Sequence, residues 1–317
     1  MKKVSVFLLV AIFLVGACFG VLAADKKQVV VGNKNFTEQY IMGQLMKQVL
    51  EEHGFKVKLK SDLTSMTMRP PLEKGSIDIC AEYTGTAWMT HFGYPYDPAI
   101  GHEALYAAVK AIDKTENDLI WLDPIWNHNT YALAVWPEFA EEHDLKTMSD
   151  LAELYRNEDG KVKTFIDLEY SQRPDGLPAL EDYYNFEIAN SALQTGAPGA
   201  SINALANKQT KVGMVFATDS SIAEHDWVVV QDNKRFYPPY DLTPIVRSKT
   251  LQKYPEIKDI LNELVATFPG GGEDWTPEYM TESQKVWSAL NGFVDIERMD
   301  ADEAAHEYLV EHGLVEE

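Results

Sequence analysis

Ile77-Asp78-Ile79-Cys80-Ala81-Glu82-Tyr83-Thr84-Gly85-Thr86-Ala87-Trp88 is a short apolar run that passes directly into a loop of hydroxyl and aromatic residues. A strand ending this way offers polar and ring-bearing side chains at its carboxyl end, where ligands bind in open α/β sheets. Working outward, Gln28-Val29-Val30-Val31-Gly32 is a second apolar run closed by Gly. From Thr37 to His53 the apolar residues Ile41, Leu45, Val49 and Leu50 recur at helical spacing. Lys56-Val57-Lys58-Leu59-Lys60 alternates with period two, and Pro70 to Lys74 opens a helix before Ser76 to Cys80. This β-α-β order predicts a parallel sheet and an α/β fold.

The alternation continues. Tyr131–Val135, Phe165–Asp167, Val212–Phe216 and Leu242–Val246 read as strands. Helical patterns cover Ser149–Arg156, Pro178–Tyr184, Ser201–Ala206, Pro255–Phe268, Thr276–Leu290 and Asp300–His312. No internal repeat or low-complexity linker interrupts them. Trp126–Thr130 and the proline-rich Phe236–Tyr240 are the candidate crossings between two lobes.

At the amino terminus Lys2 and Lys3 precede the apolar run Val4–Val15, and small residues lie near Val21-Leu22-Ala23. This is the pattern of a secretory signal peptide, residues 1–23, and it predicts a periplasmic protein. Val15-Gly16-Ala17-Cys18 offers an alternative, a lipobox whose Cys18 would carry a lipid anchor. Cleavage near Ala23 is preferred because Gly16 is an unusual residue at that place. It would leave Cys80 as the one cysteine, read as a small buried hydrophobe. The formal net charge of −21 argues against nucleic acid and anionic lipid as partners, and is explained chiefly by solubility.

Enzyme motifs are absent. His306 and His312 stand six apart where a zinc-protease helix needs four. No Gly-x-Ser-x-Gly elbow, P-loop or clustered histidines occur, so no catalytic residue, metal or cofactor is assigned.

Four segments together carry a resemblance: Gly32-Asn33-Lys34-Asn35-Phe36-Thr37-Glu38-Gln39, the opening stretch, Gln172-Arg173-Pro174-Asp175-Gly176-Leu177-Pro178 and Phe236-Tyr237-Pro238-Pro239-Tyr240. From about Val29 to Gly313 the chain resembles the glycine betaine, choline and carnitine binding proteins of ABC transporters. The resemblance implies a type II periplasmic binding fold with its ligand cleft between the lobes. Residues 24–129 plus 240–317 would form one lobe and 130–239 the other. It also implies a protein that serves a membrane permease and its ATPase; a monomer is expected because nothing in the sequence resembles a dimer seam.

A quaternary ammonium has no proton to donate, so an aromatic cage is the physical means of holding it. A carboxylate at the far end needs cationic or hydroxyl donors. By the resemblance, Tyr83, Tyr131, Tyr240 and Phe216 match cage positions, Phe216 standing where several relatives carry tyrosine. Lys34, Arg173 and Thr86 match donors to the carboxylate. Thr218 and Asp219 read as turn or cap residues. One departure is Leu63-Thr64-Ser65-Met66-Thr67-Met68-Arg69-Pro70-Pro71, where relatives place small residues. Here Thr67 reads as a helix cap, and Met66 and Met68, with Trp88 and Met89, read either as pocket lining or as packing between helix and sheet. A different small cationic or amino-acid-like solute is the alternative ligand.

Overall fold

Runs of β-branched residues closed by Gly or polar turns become the strands of this protein, and apolar residues three and four apart become its helices. The computed structural model describes residues 27–316, so the signal-peptide and Cys18 readings lie outside the described residues. In chain order the strands are β1 (Gln28–Lys34), β2 (Lys56–Leu63), β3 (Ile79–Tyr83), β4 (Leu119–Trp121), β5 (Tyr131–Val135), β6 (Thr164–Asp167), β7 (Leu193–Gly196), β8 (Val212–Phe216), β9 (Val228–Val230) and β10 (Leu242–Arg247). They form two five-stranded sheets, ordered β2-β1-β3-β10-β4 and β7-β6-β8-β5-β9. The chain crosses from the first sheet to the second between β4 and β5, and returns between β9 and β10.

The parallel reading holds for β1 with β2 and β3, and for β6 with β7 and β8. It fails at β10, which runs antiparallel to β3 and β4, and at β5, antiparallel to β8 and β9. Both exceptions directly follow a crossing. They enter their sheet without the helical crossover that parallel neighbours require, and so run the other way.

Against the first sheet lies the helix Thr37–Glu52, whose Ile41, Met42, Leu45, Met46, Val49 and Leu50 are fully buried. Each such side chain contributes roughly 1.5–3 kcal/mol of burial. The helix Ala301–Glu311 covers its other side, with Gln48 Nε2 donating to the Asp302 carbonyl at 2.7 Å. Strands β4, β7 and β9 were not foreseen, being too short for a period to show. Nor was the helix His102–Glu116. Its inward stripe Leu105, Val109, Asp113 ends in a carboxylate, which is fully buried because Arg69 Nη1 (2.9 Å) and Trp121 Nε1 (2.7 Å) donate to it.

The helix expected from Pro70 begins earlier, at Ser65, and runs to Lys74 with Pro70 and Pro71 inside it. Thr64 is the cap rather than Thr67: the Thr64 hydroxyl accepts from the Thr67 backbone N–H at 3.1 Å, and Thr67 Oγ1 accepts from the Thr64 N–H at 2.8 Å. This reciprocal box satisfies two end donors at once and outweighs the prolines as a start signal. Among the described residues no helix is long and apolar enough to cross a membrane.

Candidate functional site

The crossings lie side by side. The Asn129 backbone N–H donates to the Tyr240 carbonyl at 2.9 Å, and the Tyr240 N–H donates to His128 Nδ1 at 3.2 Å. They bring the carboxyl ends of β3, β6 and β8 to face one another, and the residues after those strands enclose a pocket.

Aromatic rings from both halves line it. Phe36 stacks on Phe216 with centroids 5.2 Å apart and lies 6.2 Å from Tyr83. Tyr131 is the centre of the set, at 5.2 Å from Phe216, 4.8 Å from Tyr170 and 5.7 Å from Tyr240 in an edge arrangement. Hydrogen bonds at the rims hold several rings in place. Tyr83 Oη donates to Glu38 Oε1 at 2.8 Å, Tyr240 Oη donates to Asp175 Oδ2 at 2.6 Å, and the Tyr170 and Tyr237 hydroxyls meet at 2.5 Å. The space left between the rings is about 30 Å³, room for water-sized molecules. Wider grooves of about 860 and 710 Å³ open on either side of it.

Of the residues singled out in sequence, Lys34, Tyr83, Thr86, Tyr131, Phe216 and Tyr240 border this pocket. Arg173 lies behind its wall, with the guanidinium 5.4 Å from the Tyr131 centroid. Phe36, Ser65, Asn129, Asp167, Glu169 and Tyr170 also border it and were missed. Phe36 lies in the quoted Gly32–Gln39 segment but was assigned no role, and Tyr170 was not singled out. Asp167 closes a strand, a position that could have drawn attention.

Both cations arrive already paired. Lys34, 3% exposed, binds the Glu82 carboxylate, which also meets His91 Nε2 at 3.1 Å and accepts from the Tyr83 N–H at 2.8 Å. Burial pushes the Glu82 carboxyl up, but Lys34 and His91 together outweigh it and hold it down at about 2. Arg173, 5% exposed, gives Nε to Asp175 Oδ1 (2.8 Å) and Nη2 to Asp175 Oδ2 (2.5 Å). Its other N–H groups reach Thr86 Oγ1 and Ser65 Oγ, each at 3.2 Å, and Glu169 Oε1 at 3.5 Å. The five guanidinium donors are all engaged.

These contacts also clasp the halves, since Ser65 and Thr86 belong to the first sheet's side while Glu169 and Arg173 follow β6. The Ser65 backbone N–H donates to Glu169 Oε1 at 3.3 Å. A second clasp joins Thr218, after β8, to the first half: its hydroxyl donates to Glu38 Oε2 at 2.6 Å. Thr218 therefore bridges rather than caps. Asp219 does not cap the helix that follows either, which begins after Ser220 without a side-chain cap; its Oδ2 instead accepts from the upstream Phe216 N–H at 2.7 Å and ties back the end of β8. Burial pushes the Asp219 carboxyl up to about 8, with Asp295, Asp167 and Glu38 adding to the effect and the Phe216 N–H opposing it. Burial likewise raises Glu38, against the hydrogen bonds of Thr218 and Tyr83.

None of Met66, Met68, Trp88 and Met89 borders the pocket. Met66 is 60% exposed, while Met68 is buried in a separate core with Leu72, Ile77 and Cys80, against which Trp88 packs. The early start of the Ser65 helix explains this, because it turns Ser65 to the cleft and rotates both methionines away.

Residues 27–311 match the family described as the substrate binding domain of ABC-type glycine betaine transport systems. A glycine-betaine-binding protein of Pseudomonas aeruginosa is 31% identical over 309 residues, covering 95% of this chain and 94% of that protein. An ergothioneine transport permease and binding protein of Helicobacter pylori is also 31% identical, over 250 residues, or 76% of this chain and 42% of that protein. The solved structure of apo YehZ from Escherichia coli is similar with a TM-score of 0.61 and 30% identity, over 92% of this chain and 100% of that one.

Proposed function

Since the chain belongs to the family of substrate-binding domains of ABC-type glycine betaine transport systems, we propose that it captures a quaternary-ammonium solute between two lobes and presents it to a permease and its ATPase. The work is binding without chemistry. The proposed lobes are residues 24–129 with 240–317, and residues 130–239. The protein acts outside the cytoplasm, as a monomer.

The observation that carries this reading is the convergence of Phe36, Tyr83, Tyr131, Tyr170, Phe216 and Tyr240 on one pocket. Ring faces stabilise a desolvated ammonium that no hydrogen bond can hold. Parting of the lobes admits the solute, and closure surrounds it with rings from both sides, so ligand favours the closed form. Lys34 and Thr86 border the pocket and Arg173 stands behind Thr86; a ligand carboxylate, where there is one, engages these cations only by displacing Glu82 and Asp175 from them.

Calorimetric titration with glycine betaine, proline betaine, carnitine and choline tests this. Tyr131→Ala is expected to weaken the ligand that binds by about 2 kcal/mol or more, and unchanged affinity would remove the cage. The second reading, another small solute, is favoured by one observation: Lys34 and Arg173 are already paired with Glu82 and Asp175. It predicts binding of an unmethylated solute that is insensitive to Tyr131→Ala.

A further inference from the structure

We propose that Asp167 determines specificity in this pocket and selects quaternary-ammonium compounds that carry a hydrogen-bond donor, hydroxylated amines of the choline type, over glycine betaine. The proposal rests on the caged-ammonium reading and names the ligand class within it. Asp167 ends β6 and is 4% exposed, yet it borders the ring-lined space beside Tyr131 and Tyr170. Among the described residues no donor reaches its buried Oδ1. A buried carboxylate oxygen without a donor is unusual, because desolvation is ordinarily repaid by hydrogen bonds.

Asn129 supplies a second case at the same pocket, its buried Oδ1 also without a partner. Both unsatisfied atoms are acceptors. The cations that would serve a ligand carboxylate are, in contrast, engaged: Glu82 holds Lys34, and Asp175, Glu169, Thr86 and Ser65 take every donor of Arg173. The pocket therefore needs donors and positive charge more than it needs an anion. A hydroxylated quaternary amine supplies both, with its methyl groups against the rings and its O–H donating to Asp167. A zwitterion without a hydroxyl would set its own carboxylate near an unpaired one.

Burial, with Glu169 adding, pushes the Asp167 carboxyl up to about 7, so at pH 8.5 it is ionised and accepts only. Calorimetry of the purified protein at that pH with choline, choline O-methyl ether and glycine betaine tests the assignment, because the ether keeps the cation and lacks the donor. Choline is expected to bind at least ten-fold more tightly than either. In Asp167→Ala, and in Asp167→Leu, which keeps the branched shape but is larger, the ratio should fall below three-fold. Equal affinity of choline and its ether for the unaltered protein overturns the proposal whatever the variants do, and so does a ratio that survives both substitutions. Failure of the cage reading is seen separately, as Tyr131→Ala leaving the affinity of every quaternary amine unchanged.

Discussion

Asp219 carries the most direct pH consequence at the scale of single residues. Its folded carboxyl sits at about 8 because it is buried, whereas an unfolded Asp titrates near ~3.9. The folded protein thus holds more protons than the unfolded chain between those values, so stability falls as pH rises toward 8. The contribution is fully present below the unfolded value and lost through the folded one. Asp219→Asn is expected to flatten the fall in unfolding free energy between pH 5 and pH 8 by at least about 1 kcal/mol, measured by urea melts; an unaltered slope would assign the titration elsewhere. At this scale the sequence was a partial guide. Tyr83, Tyr131 and Tyr240 were legible from motif and resemblance, because each stands where a strand or crossing ends. The pairing of Lys34 with Glu82 and of Arg173 with Asp175 was not, since charge partners in a fold are fixed by side-chain packing that spacing does not encode.

Among elements, the turn after β3 shows how backbone shape positions a ring. A Cβ added at Gly85 would lie 2.7 Å from Pro238 Cγ and the Pro239 carbonyl oxygen, and 2.9 Å from Tyr240 Cδ1. Backbone there cannot retreat without moving the return crossing, because Thr84 Oγ1 donates to the Pro239 carbonyl at 2.8 Å. Gly85→Ala is accordingly expected to destabilise the protein by about 1–3 kcal/mol, as overpacking does, and to weaken ligand binding in calorimetry through the displaced Tyr240. Wild-type affinity in that variant would detach Tyr240 from the site. Gly176 works the same way, with the Tyr170 carbonyl oxygen 1.9 Å from its would-be Cβ, which is why Gly closes the segment that carries Arg173. Helices and strands with several repeats of their period were readable. The Ser65 helix was misplaced because its prolines outweighed, on paper, a capping box formed by Thr64 and Thr67.

For the whole molecule, the proposed closed form is held by hydrogen bonds that include Arg173 to Ser65 and Thr86, Glu169 to the Ser65 N–H, Thr218 to Glu38, Asn291 Nδ2 to the Thr218 carbonyl and Tyr240 to Asp175. Thr218→Val removes one donor from a buried carboxylate in the closed form alone, which costs about 1–3 kcal/mol. Looser ligand binding by roughly ten-fold or more follows, together with faster hydrogen exchange across residues 216–219. Protected amides and full affinity would show that the Thr218 clasp has no part in closure. The two-sheet architecture was foreseeable from the alternation of strands and helices. The antiparallel β10 and β5 were not, since direction follows from which way the chain re-enters a sheet.

Calorimetric titration with choline and with 3,3-dimethylbutan-1-ol, its uncharged isostere of the same shape, shows whether the rings hold a cation. A caged ammonium predicts that removing the charge weakens binding by about 2 kcal/mol or more. Equal affinity for the two would show that the rings offer apolar surface only and hold no cation.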